Sequence, residues 1–253
     1  MISKNTAKLI RSLESRKHRL RTGLFVAEGP KAVESLAAAR PPEYVAATAE
    51  WLAANPALAA SAARCDEVTA DGLRRVSFMQ HPQQVLALFP LPRTEFSPEA
   101  CASGLVLALD RVQDPGNLGT IIRLADWFGI STVICGEGTA DAYSPKAVQA
   151  TMGSLARVAV VEASLPQTLA ALPKGTPVYA TALGGADIYA SPLEPRGVIV
   201  MGNEGTGVSP EVMRLAGHTL LIPSYGAPGG PDSLNVAVAT AVVCAEFRRR
   251  QRQ

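Results

Sequence analysis

The chain of 253 residues has few of the residues that build metal sites and disulfide frameworks. Its four cysteines are scattered, no two of them form a CxxC pair, and there are only three histidines. This pattern argues against a disulfide framework and against a zinc site. Isolated cysteines are typical of a reducing compartment, so we expect a cytoplasmic protein without a bound metal.

Long apolar runs are also missing. The longest lies near residues 236–245, and Thr240 interrupts it. About 20 apolar residues are needed to span a bilayer, so we expect no membrane-spanning segment. The N-terminus has no apolar signal-peptide core, although its basic, acid-poor composition leaves a transit peptide as an alternative interpretation.

Three common nucleotide and nucleophile motifs are absent. No G-x-G-x-x-G follows the first strand, and no G-x-x-x-x-G-K-[ST] or G-x-S-x-G occurs. These absences disfavour a dinucleotide oxidoreductase, a P-loop NTPase and a serine hydrolase.

Charge of one sign is not in large excess, since 24 lysines and arginines oppose 22 acidic residues. The distribution is nevertheless uneven. Residues 1–23 hold seven basic residues and one acid, residues 248–253 add four arginines, and the region between is net acidic. Two basic ends on an acidic globule indicate a polyanionic partner, with ordinary solvated helix faces as the alternative.

The pattern of apolar runs predicts two α/β domains. With 47% hydrophobic and 18% charged residues, the chain is not a disordered one. Short strand and helix patterns over 1–92 predict a small α/β domain. Three prolines within residues 90–98 indicate a linker, which we place at 93–103. From residue 104, apolar strands alternate with helices, which predicts a parallel sheet covered on both faces. The predicted strands are 105–109, 132–135, 158–161, 178–181, 198–201 and 220–222, and a last helix is predicted from Ser233 to about Arg250.

Three unusual loops follow predicted strands, where parallel sheets bind their ligands. The first leads to Asn117, which we expect to cap a helix that carries Arg123 on its second turn. The second is rich in glycine over 202–207 and contains Glu204. The third joins a Gly/Pro-rich stretch to the last helix, with Ser233 as its expected N-cap and Asn235 in its first turn.

The order of these three loops resembles the three motifs of the SpoU (TrmH-type) RNA 2′-O-ribose methyltransferases, a family of the SPOUT class. The matching residues are Asn117-x-Gly119-x-x-x-Arg123, Gly202-Asn-Glu204-Gly-x-Gly207, and Ile222-Pro with Ser233-Leu-Asn235-Val. Ser144-Pro-Lys146 and Gly153-Ser154 extend the similarity within the C-terminal part. Residues 15–29 are similar to the start of a substrate-binding domain that precedes many of these enzymes.

The resemblance implies a fold, a cofactor and a partner. It implies that 104–253 forms a SPOUT-type α/β knot, a parallel sheet with a trefoil knot, and that 1–92 forms a small α/β domain similar to ribosomal protein L30e. It also implies a homodimer through the catalytic domain and S-adenosylmethionine as cofactor. The cofactor contacts that carry over are Gly202, Ile222 and Leu234, with Thr181 as a weaker candidate.

The resemblance also assigns roles in methyl transfer to a ribose 2′-OH. Arg123 is then the catalytic residue, either as a base aided by a substrate phosphate or as a cation that stabilises the forming alkoxide. Asn117 and Asn235 would hold the arrangement by hydrogen bonds. Glu204 would orient Arg123 or shape the cofactor loop, and Ser233 would cap the helix beside the site. No metal is needed for this chemistry.

The basic N-terminus supplies the expected RNA contacts, and its domain favours ribosomal RNA over tRNA as substrate. The expected RNA-binding residues are Lys4, Lys8, Arg16, Lys17, Arg19 and Arg21. A tRNA 2′-O-methyltransferase and a non-catalytic RNA-binding or ribosome-assembly protein are the alternatives. One departure from the family is the longer loop between Gly226 and Ser233, which bears on substrate choice. Tyr225 beside it is interpreted either as a packed loop aromatic or as a stacking partner for a base.

Overall fold

The computed structural model describes residues 2–226 and 232–251. The first part of the chain forms α1 (Lys4–Ser12), α2 (Arg16–Thr22), β1 (Leu24–Glu28), α3 (Pro30–Ala39), β2 (Tyr44–Ala47), α4 (Ala49–Ala54), α5 (Pro56–Ser61), β3 (Cys65–Glu67), α6 (Ala70–Arg74) and β4 (Val85–Pro90). The second part forms α7 (Ala100–Ser103), β5 (Leu105–Leu109), α8 (Pro115–Trp127), β6 (Thr132–Cys135), α9 (Pro145–Thr151), β7 (Ala159–Glu162), α10 (Leu165–Ala170), β8 (Val178–Asp187), β9 (Gly197–Met201), α11 (Pro210–Met213), β10 (His218–Leu221) and α12 (Val236–Arg250). This succession confirms the predicted α/β class.

The chain divides into two compact units. Unit 1 comprises Met1–Arg93 together with Asp141–Arg157, and unit 2 comprises Thr94–Ala140 together with Val158–Gln253. Unit 1 therefore includes a segment, 141–157, that lies in the sequence between two strands of unit 2.

Unit 1 is built on a mixed sheet with strand order β1-β4-β2-β3. Strand β4 pairs antiparallel with both β1 and β2, whereas β2 and β3 are parallel. The apolar side of α1 packs on this sheet, since Ile10 and Leu13 belong to the same buried cluster as Val26, Tyr44 and Leu88. The basic side chains of α1 are thereby left at the surface, as its amphipathic pattern predicts.

The segment 141–157 is an integral part of unit 1. The ring of Tyr143 lies 5.1 Å from that of Phe25 in β1, and α9 packs on the same strand. Gly153 has φ +91°, and a Cβ at this position would come within 2.7 Å of Ser35 in α3. Only glycine fits such a position, because both the backbone angle and the close approach exclude a side chain.

Unit 2 is built on a sheet with strand order β10-β8-β9-β5-β6-β7, in which the described strand pairs are parallel. Every residue of β5 and β9 is buried, which is the pattern of strands covered on both faces. The chain runs outward from β5 to the edge strand β7 and then crosses to β8 and β9 on the other side of β5. The carboxyl ends of β5 and β9 thus lie side by side, where parallel sheets bind ligands. The predicted parallel sheet is confirmed, and the trefoil knot stays a prediction.

Within the described residues, no helix is long and apolar enough to cross a membrane.

Candidate active site

Two of the three predicted loops meet because their strands are neighbours. Leu109 at the end of β5 is paired with Met201 at the end of β9, and the next residue, Asp110, donates its backbone N–H to the Met201 carbonyl over 2.9 Å. We call residues 110–114 the β5 loop and residues 202–209 the β9 loop. The β5 loop leads into α8, and the β9 loop leads into α11.

A chain of hydrogen bonds joins one residue from each of the three motifs. Asn235 Nδ2 donates to Asn117 Oδ1 over 3.0 Å, and Asn117 Nδ2 donates to Glu204 Oε1 over 2.9 Å. Asn235 Oδ1 accepts from the backbone N–H groups of Ala237 and Val238, which fixes its amide orientation. The direction of the whole chain follows, because each amide can donate only through its nitrogen. The structure thus brings together Asn117, Glu204 and Asn235.

The helix caps at the site differ from those predicted. Asp114, not Asn117, is the N-cap of α8, and its Oδ1 accepts from the Asn117 N–H at 2.8 Å. Asn235, not Ser233, is the N-cap of α12, which begins at Val236 rather than at Ser233. Both predictions were wrong for one physical reason. The true cap is the residue whose side chain reaches an N–H two or three residues later, and each segment offers two suitable side chains.

Arg123 lies on the third turn of α8, one turn later than predicted because the helix begins at Pro115, and its side chain is exposed. It has no hydrogen bond or ion pair with any residue that the structure describes, whereas the neighbouring Ile121, Ile122 and Ala125 are buried. The contact of Glu204 is to Asn117 and not to Arg123. The site therefore holds an arginine that is available to an anionic group.

The β9 loop is closed on itself through Asn203. Asn203 and Gly207 exchange both of their backbone hydrogen bonds, at 3.1 and 2.9 Å, and Asn203 Oδ1 accepts from the N–H groups of Gly205 and Thr206. A Cβ on Gly202 would come within 2.3 Å of the Gly207 carbonyl carbon and the Val208 nitrogen. Because both are backbone atoms, only glycine fits at position 202, as this tight loop requires.

Two positions that sequence reasoning missed connect the β5 and β9 loops. The buried carboxylate of Asp110 accepts from the Ser209 N–H at 2.6 Å through Oδ2 and from Arg111 Nε at 3.2 Å through Oδ1. Asn203 Nδ2 donates to the Arg111 carbonyl at 2.8 Å. The sequence did contain a signal for Asp110, because this acidic residue directly follows the fully apolar strand Leu105–Leu109. The partner of Asn203 could be found only from the order of the strands.

Of the residues expected to bind the cofactor, Gly202 directly follows β9 and Ile222 directly follows β10, whereas Thr181 lies inside β8, which continues to Asp187 instead of ending at the predicted residue 181. Neither the buried Gly202 nor the half-buried Ile222 forms a backbone hydrogen bond with any described residue. The Thr181 hydroxyl is used within the sheet, where it donates to the Val200 carbonyl at 3.2 Å. Leu234 is exposed. The free backbone groups of Gly202 and Ile222, and the lack of a side chain at Gly202, suit a ligand that is held mainly by main-chain hydrogen bonds.

The third loop is described only in part. Residues 227–231, which form most of the longer stretch between Gly226 and Ser233, lie outside the described residues. Ser233 is exposed and has no hydrogen bond with a described residue. Tyr225 is 88% exposed, which contradicts its interpretation as a packed loop aromatic.

The expected RNA-binding residues of unit 1 fall into two groups. Arg16, Lys17 and Arg21 of α2 are exposed, as are Lys4 and Lys8 of α1. Arg19 is only 2% exposed, and its guanidinium donates to Asp141 Oδ2 at 2.6 Å and to the carbonyls of Leu13 and Glu14. This burial contradicts its prediction as an RNA contact, because the guanidinium is occupied by Asp141 and by two backbone carbonyls of unit 1.

The acidic, histidine and cysteine side chains of the described residues were also compared with the requirements of a metal site. Among the described residues, no group of three or more such side chains is placed to hold a metal ion. All four cysteines lie within the described residues, and none is in a disulfide. Burial raises the pKa of the Cys101 thiol to about 11 and that of Cys244 to about 12, as apolar surroundings disfavour the thiolate.

Two family models match the chain. Residues 104–245 match the SpoU rRNA Methylase family, and residues 4–87 match the MRM3-like substrate binding domain. The first match covers more than half of the chain and contains the three site loops.

Individual proteins are similar over nearly the whole length. The 23S rRNA (guanosine(2553)-2′-O)-methyltransferase RlmP of Bacillus subtilis is 34% identical over 244 residues, which cover 94% of each chain. A TrmH-family structure from Porphyromonas gingivalis superposes with a TM-score of 0.89 at 43% identity and covers 99% of both chains. An AdoMet-bound rRNA methyltransferase from Sinorhizobium meliloti has a TM-score of 0.84 at 32% identity and covers 99% of this chain and 97% of its own.

Proposed function

The chain belongs to the SpoU rRNA methylase family, and we propose that it transfers a methyl group from S-adenosylmethionine to a ribose 2′-OH of ribosomal RNA. The observation that carries the proposal is the hydrogen-bonded chain Asn235–Asn117–Glu204, whose middle residue lies on the same helix as the unpaired Arg123. Asn235, Asn117 and Glu204 come from three segments of unit 2 that are far apart in the sequence. A grouping of their polar side chains is expected for a site that binds or converts a ligand.

The cofactor supplies, when bound, a methyl group that a sulfonium makes electrophilic. Gly202 and Ile222 fit its binding, since their backbone N–H and C=O groups have no partners among the described residues. The β9 loop is also held in one shape by Asn203 before any ligand arrives, which lowers the cost of ordering it on binding.

Arg123 acts on the nucleophile as a fixed cation. A ribose hydroxyl becomes a good nucleophile only as its proton leaves, and an arginine stays protonated in proteins, so it is a poor base. Its guanidinium can instead bind the phosphate next to the target ribose and stabilise the negative charge that develops on the 2′-oxygen. In this scheme the bound phosphate receives the proton.

The polar chain positions the groups around this cation. Asn235 is locked by capping α12, Asn117 is locked by Asn235 and by Asp114, and Glu204 is held by Asn117. The second carboxylate oxygen of Glu204 has no hydrogen bond with a described residue, so it is available to a ribose hydroxyl. Such preorganisation is the usual way a site without a strong base gains rate.

Ribosomal RNA is the favoured substrate because the chain carries a substrate-binding unit as well as a catalytic one. Residues 4–87 match a substrate binding domain, and the relative RlmP methylates 23S rRNA. The exposed cations of α1 and α2 suit phosphate contacts that do not depend on sequence. We assign RNA binding to unit 1 and methyl transfer to unit 2.

We further propose a homodimer through unit 2 and a cytoplasmic location. Trp127 on α8 is 83% exposed and Val238 on α12 is 51% exposed, and these two helices contact each other. Exposed apolar side chains on adjoining helices suit a self-complementary interface. Free thiols at all four cysteines suit a reducing compartment.

The test is transfer of labelled methyl from S-adenosylmethionine to transcribed Bacillus subtilis 23S rRNA, with transcribed tRNA as the competing substrate. We expect label in the 23S transcript, in a nucleotide that resists alkaline cleavage because its 2′-oxygen is blocked. Label in tRNA alone would favour the tRNA alternative. No label in either RNA, together with no heat of S-adenosylmethionine binding in calorimetry, would favour the non-catalytic alternative.

A further inference from the structure

The side-chain amide of Asn203 lies between the two loops of the active site and uses both of its ends. Its oxygen accepts from Gly205 and Thr206 and so shapes the β9 loop. Its nitrogen donates to the carbonyl of Arg111 in the β5 loop at 2.8 Å. The donor end therefore serves a different element from the acceptor end.

The residue that receives this bond has an unusual backbone. Arg111 has φ +60°, the left-handed region that L side chains rarely adopt. Such a conformation persists only where neighbouring groups fix it. Here the carbonyl is held by Asn203 and the guanidinium by Asp110.

The backbone at Arg111 leads into α8 through the short β5 loop. Helix α8 starts at Pro115, four residues later, and carries Asn117 and Arg123. A change in the backbone of residue 111 would move the start of this helix relative to Glu204 in the β9 loop. A displacement of about 1 Å at a catalytic group is enough to cost a large factor in rate.

We propose that Asn203 is a positioning residue for methyl transfer, whose donated hydrogen bond to Arg111 sets the placement of Asn117 and Arg123 against the β9 loop. This inference rests on the proposed function, because the placed groups are those of the methyl-transfer site. The two ends of the Asn203 amide then have separate roles. The oxygen shapes the β9 loop, and the nitrogen positions α8.

The substitution Asn203→Asp separates these tasks. A carboxylate still accepts from Gly205 and Thr206, but it cannot donate to the Arg111 carbonyl. With transcribed 23S rRNA and saturating cofactor, we expect the single-turnover rate to fall about 10-fold or more, while the calorimetric Kd for S-adenosylmethionine stays within about 3-fold of wild type. Asn203→Ala removes both ends and should weaken the rate and the cofactor affinity together.

Asn55→Asp is the matched control. Asn55 Nδ2 donates to the Trp51 carbonyl at 3.0 Å, so this variant loses the same kind of bond and gains the same charge within unit 1. Its rate and Kd should match wild type. In an Arg123→Ala background, Asn203→Asp should lower the residual rate by a much smaller factor than in the wild-type background, because the cation that it positions is gone and only Asn117 remains.

The outcomes distinguish the two proposals. An active wild type with an unchanged Asn203→Asp rate, or with equal losses in rate and cofactor affinity, would overturn the positioning role and leave the proposed function standing. An additive loss in the Arg123→Ala background would overturn it as well. A wild type that methylates neither 23S rRNA nor tRNA would refute the proposed function, and this inference with it.

Discussion

The two ends of the chain carry similar basic sequences and put them to different uses. In α1 and α2, Lys4, Lys8, Lys17 and Arg21 are exposed and have no partner among the described residues. At the end of α12, Arg249 and Arg250 each contact the buried Glu246 at 2.7 Å, and Arg248 donates to the Phe128 and Gly129 carbonyls. The N-terminal cations are available to a polyanion, whereas the C-terminal cations hold the fold of unit 2.

The difference shows that the number of basic residues does not by itself predict a surface that binds anions. Basic side chains that are already bound to acidic residues or to carbonyl groups of the same chain have to be left out of the count. Arg19 is an example within the N-terminal group, since its guanidinium forms an ion pair with Asp141. Arg123 is the opposite case, because it lies in the net acidic middle of the chain and has no described partner. Substitutions of single cations distinguish those that are free from those that are structural.

The largest effect is expected at the free cation of the active site. Arg123→Ala should lower the single-turnover rate of methyl transfer at least 100-fold, because no other described cation of α8 can stabilise the developing charge. Calorimetry should show a nearly unchanged Kd for S-adenosylmethionine and circular dichroism an unchanged melting curve. A variant that keeps wild-type activity would remove Arg123 from the mechanism.

A structural cation should act on stability instead. Arg19→Ala removes the closest counter-charge of Asp141, whose side chain is largely buried. We therefore expect the free energy of unfolding, measured by urea titration, to fall by about 3 kcal/mol. Arg21→Ala on the same helix is exposed and should change it by less than about 0.5 kcal/mol. Equal effects from the two variants would contradict the assignment of Arg19 to the fold.

The free cations of unit 1 should act on RNA affinity alone. Replacing Lys4, Lys8, Lys17 and Arg21 together by glutamine should raise the Kd for transcribed 23S rRNA about 10-fold at low salt and flatten its salt dependence, as expected when phosphate contacts are lost. The melting temperature should not change. Arg249→Gln serves as the paired-cation control, and filter binding should give it the wild-type RNA affinity.

The smallest effect is expected at Glu246. Hydrogen bonds from Arg249 and then Arg250, with their charges, lower the pKa of this carboxyl from 4.5 to about 2. A lowered pKa stabilises the fold above pH 4.5, and this stabilisation is lost as the pH falls towards 2. Glu246→Gln should therefore reduce the free energy of unfolding by about 1 kcal/mol at pH 7, with a difference from wild type that shrinks below pH 4.

Glu137→Gln is the control for that series. Glu137 is exposed and has no partner among the described residues, so its removal should leave the pH dependence of urea unfolding unchanged. A Glu246→Gln difference that stayed constant from pH 7 to pH 3 would show that the carboxylate is not the source of the stabilisation.

Sequence reasoning worked best where one physical signal dominated. Strands β5 and β6 begin and end at the predicted residues, because continuous apolar runs leave little choice. It failed by a few residues where two side chains compete to cap one helix, as at Asp114 and Asn117. Propensity does not decide which of two good caps reaches the right N–H.

The sequence motifs predicted that some candidate site residues lie close together, but not how their loops are connected. Asn117, Glu204 and Asn235 were expected near one another, and they are joined by hydrogen bonds. The bond from Asn203 to Arg111 spans 92 positions, and it exists only because β9 lies next to β5. Strand order of this kind depends on the packing of the whole unit, which local patterns do not encode.

The placement of 141–157 in unit 1 has a consequence for how the protein is made. The ribosome delivers residues 1–93 first, but at that stage Arg19 lacks its carboxylate and β1 lacks the ring of Tyr143. Domains generally fold as units during synthesis, from the N-terminus onward. Unit 1 can reach its final packing only after the first two strands of the catalytic sheet have emerged. Completion of unit 1 therefore depends on prior synthesis of residues 94–140 of unit 2.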